Sequence, residues 1–267
     1  MKWSFSNIAW SAQQDENMYR ILAEAGISGL EIAPTRIFPQ QPYQKLAEIR
    51  EWSKSLYKRY GLRISSMQSI WYGRTQNLFA DEQQYAELMQ YSKEAVLFAE
   101  AAECPHLVFG CPKNRNMPEG ADRRTALAFF LELSSFAAQH GIVIGLEANP
   151  AIYGTNFINT TQEAIAIVRE IENDGFKLNL DIGSMLANAE TADVIAGAVS
   201  LIHHVHISEP YLKPVQEREL HRDILRILDK EDYQGYISVE MGDTGNSSTI
   251  LDVLEYIQKL EGKYGIS

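Results

Sequence analysis

GIVIGLEAN, Gly141–Asn149, is the stretch on which the reading of the fold turns. Ile142, Ile144 and Leu146 face one side of an extended strand, and Gly141, Val143, Gly145 and Glu147 face the other. A glutamate closing an apolar, β-branched run is costly to desolvate unless something pairs with it. Three later stretches end alike: LNLDIG (Leu178–Gly183), HHVHIS (His203–Ser208) and YISVEM (Tyr236–Met241). In each, an apolar set (Leu178 and Leu180, Val205 and Ile207, Ile237 and Val239) alternates with the set holding Asp181, His206 or Glu240.

Outward from these runs a loose repeat emerges: amphipathic helix, glycine, apolar strand, polar loop. Gly26, Gly61, Gly141, Gly175 and Gly235 each precede a strand and read as left-handed residues closing a helix. The pattern predicts strands at Lys2–Ala9, Gly29–Ala33, Arg63–Met67, His106–Gly110, Ile142–Glu147, Lys177–Asp181, Ile202–Ile207 and Tyr236–Glu240. It predicts helices at Glu16–Glu24, Pro42–Tyr60, Glu82–Glu103, Ala121–His140, Thr161–Glu172, Ala192–Val199, Glu217–Leu228 and Ser248–Tyr264. Strand alternating with helix eight times implies a parallel sheet with right-handed crossovers. In 267 residues this is expected to close as an α/β fold, a (β/α)8 TIM barrel forming one domain over 1–267. An open doubly wound sheet is the alternative, but no GxGxxG follows the first strand.

With 45% hydrophobic and 22% charged residues, the chain can bury a full core. The N-terminal MKWSFSNIAW lacks the apolar run of a signal peptide. The apolar helical patch Thr125–Ala138 contains Glu132 and is too short to span a bilayer, so no membrane association is expected. Cys104 and Cys111 form no CxxC, which fits a reducing, cytoplasmic setting. A net charge of -11 argues against nucleic acid as a partner, although a local pair of cations can still hold one phosphate.

The four ionisable strand ends are one unit apart each: 181 − 147 = 34, 206 − 181 = 25 and 240 − 206 = 34. In a closed barrel, consecutive strand ends line one side of the C-terminal mouth and point at a common centre. Three converging carboxylates repel one another unless a cation lies among them. Three oxygen donors and one imidazole suit a divalent metal ion, Mn²⁺ foremost, with Mg²⁺, Co²⁺ or Zn²⁺ as alternatives. Any one of these residues alone reads equally well as a solvated strand end or an ion-pair partner. Four in consecutive units on one face favour the metal.

At these residues the chain resembles the xylose-isomerase-like superfamily of sugar isomerases and epimerases, which also includes the endonuclease IV barrels. The resemblance rests on LEAN (Leu146–Asn149), LDIGSM (Leu180–Met185), HVHISEP (His204–Pro210) and GYISVEM (Gly235–Met241). It implies Glu147, Asp181, His206 and Glu240 as metal ligands, with Glu147 and Glu240 doubling as the acid–base pair. The chemistry so implied is proton abstraction next to the carbonyl of a sugar or sugar phosphate, through a metal-stabilised enediolate. A homodimer or homotetramer is the expected assembly. Related epimerases carry a histidine three residues after the ligand aspartate, where this chain has Ser184. They carry an arginine about six residues after the ligand histidine, where this chain has Leu212 followed by Lys213. Ser184 and Lys213 are therefore expected in the substrate pocket.

Other candidates come from the loops after the strands. Asn149 and Tyr153 follow Glu147 and are expected at the mouth. Gln68 and Trp71, with Tyr72, offer an aromatic wall for a sugar, and Lys113 with Arg115 offers two cations for an anionic group. His204 reads as a hydrogen-bonded histidine one layer below His206, and His203 as outward-facing. His221 reads as a residue of the mouth or of the surface. Glu31 ends the second strand, across the barrel from the cluster, and reads as a hydrogen-bonding partner either of the residues around the site or of the substrate. A dehydratase of the inosose or dehydroshikimate type, using the same proton abstraction, is the main alternative function. An endonuclease IV-like phosphodiesterase would need further histidines where this chain has Gln68, Phe109 and Ser184. A barrel that only binds sugar would not need two opposed bases.

Overall fold

The structure is a computed structural model that describes residues 1–264. Eight parallel strands form a closed barrel in chain order: β1 (Lys2–Ser6), β2 (Gly29–Ile32), β3 (Arg63–Met67), β4 (His106–Phe109), β5 (Val143–Glu147), β6 (Phe176–Asp181), β7 (Ile202–Ser208) and β8 (Tyr236–Glu240). Closure comes from β1 pairing with β8, Lys2 opposite Tyr236 and Phe5 opposite Val239. Around the barrel lie α1 (Asp15–Glu24), α2 (Pro34–Ile37), α3 (Leu46–Tyr60), α4 (Glu82–Ala101), α5 (Arg124–Gln139), α6 (Thr161–Ile171), α7 (Ile182–Ala187), α8 (Glu219–Lys230) and α9 (Ser247–Tyr264).

The strand alternation divides the molecule into two interiors. Leu146, Leu180, Ile207 and Val239 join one apolar cluster with helix residues such as Leu88, Phe129, Val168, Ile224 and Ile257. This shell between barrel and helices is the hydrophobic core. Small and polar residues fill the barrel axis instead: Ser4, Glu31, Ser66, His106, Asn179, His204, His206 and Ser238 are all at most 1% exposed. An axis of polar groups departs from the branched apolar layers usual in this architecture. Gly145 shows how tightly it is filled, because a Cβ there would lie 2.1 Å from His106 Cε1.

The helix expected at Ala192–Val199 is absent. Two short 3-10 turns, Ala192–Ile195 and Val199–Leu201, replace it. Gly197, at φ 70°, separates them and breaks the helical path. The short helix α7 has no counterpart in the sequence reading. Gly26, Gly61 and Gly141 adopt the left-handed conformation expected of them. Gly175 and Gly235 do not. They are needed for close packing, since a Cβ would lie 2.3 Å from Ser134 O in the first case and 2.3 Å from the Tyr233 hydroxyl in the second.

Candidate active site

The strand register sets the site. Glu147 ends β5 opposite Asn179, Asp181 ends β6 opposite His206, and Ser208 of β7 lies opposite Glu240 of β8. His206 is fully buried at the centre. Its Nδ1 lies 3.2 Å from Glu147 Oε1 and 3.3 Å from Glu240 Oε2. Its Nε2 lies 2.7 Å from Glu31 Oε2, a carboxylate that is also fully buried. Ser66 Oγ donates to the same Glu31 oxygen at 2.5 Å, and His204 Nε2 lies 3.3 Å from it.

Two amides orient Glu147. Asn149 Nδ2 donates to Oε2 at 2.9 Å, and Asn179 Nδ2 donates to Oε1 at 2.8 Å. Asp181 is held differently, as the N-cap of α7. Its Oδ1 accepts from Gly183 N at 3.1 Å and from Ser208 Oγ, and its Oδ2 accepts from Ser184 N at 3.2 Å and Ser184 Oγ at 2.6 Å. The Ser184 hydroxyl, which has one proton, can give it to Ala148 O instead, and a cation at Asp181 would compete with the two serine hydroxyls for its oxygens.

Burial, with the Glu147 and Glu31 charges adding to it, pushes Glu240 up to about 7 against the pull of His206. Burial and the neighbouring Glu147 charge also raise Asp181. Burial opposes the charged form of His206, but Glu31 and Glu240 outweigh it and hold the imidazole well above its usual range. The opposite balance holds Glu31 well below the carboxylate range, where burial is outweighed by His206 and His204.

The donor set fits a divalent cation. Ligating atoms of Asp181, His206 and Glu240 lie within 4.8 Å of one another, and Glu147 reaches the same imidazole nitrogen. Hard oxygens with one imidazole match Mn²⁺ or Mg²⁺ chemistry. An imidazole backed by a carboxylate on its other nitrogen is the arrangement that fixes the tautomer of a metal-binding histidine.

Above these groups lies a cavity of about 600 Å³, with Glu147, Asp181 and Glu240 among its lining residues. Gln68, Trp71, Lys113, Asn149 and Tyr153 also line it. Gln68 reaches down to Ser6 Oγ at 3.0 Å, and Trp71 Nε1 donates to Ser92 Oγ at 2.8 Å.

Ser184 and Lys213 stand apart from this cavity. Ser184 is 1% exposed behind Asp181, with its Oγ 2.9 Å from Ala148 O, because α7 begins directly at the strand end and turns it inward. Lys213 is exposed, and Leu212 lines the cavity in its place. The cause is the backbone, since Tyr211 and Leu212 both sit at positive φ, 63° and 53°.

Arg115 is fully buried and serves the scaffold, donating to Glu147 O at 2.9 Å and Asn149 Oδ1 at 2.8 Å. His221 lies at neither the mouth nor the surface. It is fully buried, with Nδ1 3.0 Å from the Tyr256 hydroxyl between α8 and α9. His204 is hydrogen-bonded one layer below His206, and His203 Nδ1 lies 2.9 Å from His106 Nδ1. Asn179 and Ser208 were missed from sequence, although each shares the inward face of Asp181 or His206 two positions away.

A family model described as xylose isomerase-like TIM barrel matches residues 19–260. Among curated proteins none matches the chain in sequence. Several solved structures share the fold. The 3-keto-D-glucoside 4-epimerase of E. coli is 18% identical with a TM-score of 0.76, over 98% of this chain and 99% of the other. A D-allulose 3-epimerase from Methylomonas sp. is 22% identical with a TM-score of 0.74, over 97% and 96%. An AP endonuclease of family 2 from Brucella melitensis is 19% identical with a TM-score of 0.71, over 92% and 95%.

Proposed function

The chain belongs to the xylose isomerase-like TIM-barrel family, and from that membership we propose that it is a divalent-metal-dependent isomerase or epimerase of a sugar or sugar derivative. One observation carries the reading. Two glutamates from strands on either side of His206 bring their carboxylates within 3.3 Å of a single imidazole nitrogen, on the floor of a substrate-sized cavity. Glu147, Asp181, His206 and Glu240 would hold the cation, with Mn²⁺ first among the candidates. When bound, it supplies positive charge against which substrate oxygens gain electron density.

The protein's own groups move the proton. Glu147, oriented by Asn149 and Asn179, takes it from the carbon next to the carbonyl. Glu240 returns one to the opposite face, giving an epimer, or to the neighbouring carbon, giving an isomer. Bound substrate is expected between them, beneath Gln68 and Trp71 and beside Lys113 and Asn149. A cytoplasmic setting fits the two free cysteines, and no helix of the described residues is long and apolar enough to cross a membrane.

The test is proton exchange in D₂O, followed by NMR, with Mn²⁺-loaded protein and a panel of ketoses, aldoses, their phosphates and inososes. Glu147→Gln and Glu240→Gln are each expected to lower exchange by about 10²–10⁴-fold with the fold intact. Exchange at the native rate in both variants would overturn the acid–base assignment. Loss of water from a substrate would select the dehydratase.

A further inference from the structure

The loop after β4 buries a cation that no carboxylate neutralises. Cys111 stands at φ 49°, and the single 3-10 turn Pro112–Arg115 that follows turns Arg115 into the interior, where it is fully buried. Its Nη2 meets three neutral oxygens: Glu147 O at 2.9 Å, Asn149 Oδ1 at 2.8 Å and Ile158 O at 3.3 Å. Among the described residues Nε and Nη1 have no hydrogen-bond partner. Burial draws the guanidinium down to about 10, which leaves it charged at neutral pH. A buried, unpaired charge is costly. Tying loops together does not require one, since the adjacent Asn114 does so with a neutral amide, donating to Arg74 O at 3.0 Å and Gln76 O at 2.8 Å.

What the guanidinium does that an amide cannot is hold one end of Asn149 unambiguously. An asparagine side chain has an accepting and a donating end, a guanidinium only donates, and an ionised carboxylate only accepts. Between Arg115 and Glu147 the Asn149 amide therefore has one satisfactory orientation, Oδ1 to Arg115 and Nδ2 to Glu147 Oε2 at 2.9 Å. The Asn149 backbone is already fixed, its N donating to Ile158 O at 3.0 Å and its O accepting from Asn159 Nδ2 at 2.8 Å. Only the side-chain torsions remain, and Arg115 grips them from the far end.

The same loop shapes the seat of the carboxylate. A Cβ on Gly110 would lie 2.6 Å from Glu147 Oε2 and 3.3 Å from Asn149 Oδ1, so the backbone of Gly110 forms a wall against both. With Asn179 donating to Oε1 at 2.8 Å, both oxygens of Glu147 are held by amides. Glu240 is built differently. Its Oε2 lies 3.3 Å from His206 Nδ1, and among the described residues no amide donates to it. One glutamate is clamped and the other is free to turn about its side-chain torsions.

We propose that Arg115 is a positioning residue for Glu147, acting through Asn149: a donor-only group behind the amide keeps the amide N–H on Oε2 and so fixes the direction in which the carboxylate points. The proposal rests on the ligand and base roles given to Glu147 above. Arg115 itself touches neither cation nor substrate. In its absence Asn149 is anchored at the carboxylate end alone, and Glu147 loses the fixed half of its clamp. A lysine, which also only donates, preserves the relay. A methionine ends it.

The relay is read first in the metal-free protein by NMR. The side-chain amide signals of Asn149, identified by their loss in Asn149→Leu, are expected to move in Glu147→Gln, because one proton is given to the carboxylate. They are expected to move in Arg115→Met as well, and to return toward their native positions in Arg115→Lys. Calorimetry with Mn²⁺ alone then reads the consequence. Groups standing behind metal ligands contribute about 10–100-fold to affinity, so Asn149→Leu is expected to weaken Mn²⁺ binding about tenfold and Arg115→Met about fivefold. Because the two act along one path, the double variant is expected to match Asn149→Leu alone. Should Arg115→Met not fold, Arg115→Gln takes its place with the same expectations, since its amide can still donate to one of the backbone carbonyls. Unmoved Asn149 signals, or losses that multiply in the double variant, would overturn the proposal and leave Arg115 a structural residue. Native Mn²⁺ affinity in Glu147→Gln counts against the ligand role of Glu147 instead, and the amide signals still decide the relay.

Discussion

Replacing Glu31 by glutamine removes one charge from a place that water does not reach. Glu31 and His206 are both fully buried, with Oε2 and Nε2 2.7 Å apart. The amide is isosteric, so packing barely changes, and Ser66 keeps an acceptor. What changes is the partner of the imidazole N–H, which becomes a neutral oxygen in place of an ionised one. Charge-assisted hydrogen bonds are about twice as strong as neutral ones. Carboxylates standing behind metal-binding histidines contribute about 10–100-fold to metal affinity, which equals roughly 1.4–2.8 kcal/mol at about 1.4 kcal/mol per decade. Calorimetric titration of Mn²⁺ into Glu31→Gln at pH 7.5 is therefore expected to show a Kd weakened by that factor, with the near-UV circular dichroism of the native protein. An unchanged Kd would refute the argument that Glu31 orients His206 for a cation.

Two further outcomes follow from the same geometry. In the metal-free protein Glu240 and His206 both hold protons more tightly than in free solution, Glu240 up to about 7. The raised Glu240 value stabilises the metal-free fold fully below the ordinary carboxylate value of 4.5, and that contribution is lost as the pH rises from there to about 7; the His206 contribution is lost at higher pH, above the ordinary imidazole value. Mn²⁺ must displace those protons, so its affinity is expected to fall as the pH drops below 7 and its binding heat to vary with buffer ionisation enthalpy; heats independent of buffer would exclude the displacement. Gly145→Ala would drive a Cβ to 2.1 Å from His106 Cε1 and 2.3 Å from its Nε2. Overpacking of this kind costs about 1–3 kcal/mol, so urea unfolding is expected to shift accordingly, and native stability would contradict the filled axis described above.

Most of the architecture could be read from the chain because two signals coincide. The period of two in GIVIGLEAN and its counterparts marks strands, and the ionisable residue closing each run marks the mouth. The misreadings are all local competitions. At Ala192–Val199 the apolar spacing suggests a helix, but Gly197 at φ 70° interrupts it. At Asp181 a strand-end carboxylate also serves as an N-cap, so a short helix starts at once and carries Ser184 behind the site. At Tyr211–Leu212 two left-handed residues exchange Leu212 for Lys213 at the cavity, and propensity disfavours that conformation for either residue. Glu31 lies across the barrel from the four strand ends, yet the axis is narrow enough for side chains from opposite strands to touch. The sequence marks Glu31 as a hydrogen-bonding residue but not its partner, His206, which the closed barrel brings across the axis. Arg115 carried no such signal, for a buried guanidinium and a solvated one read alike in GCPKNRN.

The hydrogen bond between Glu31 and His206 joins residues 175 positions apart. All four candidate ligands lie in the second half of the chain, but the group that turns His206 toward them arrives on β2. A chain missing its first strands could therefore present every ligand and leave His206 without the carboxylate that orients it. The ring must shut, with β1 against β8, before the centre becomes competent. Metal added during refolding would then favour only completed rings, pulling the equilibrium toward them by mass action. The ion would act as a latch on closure, because the residue that turns His206 toward it sits on the far side of the ring.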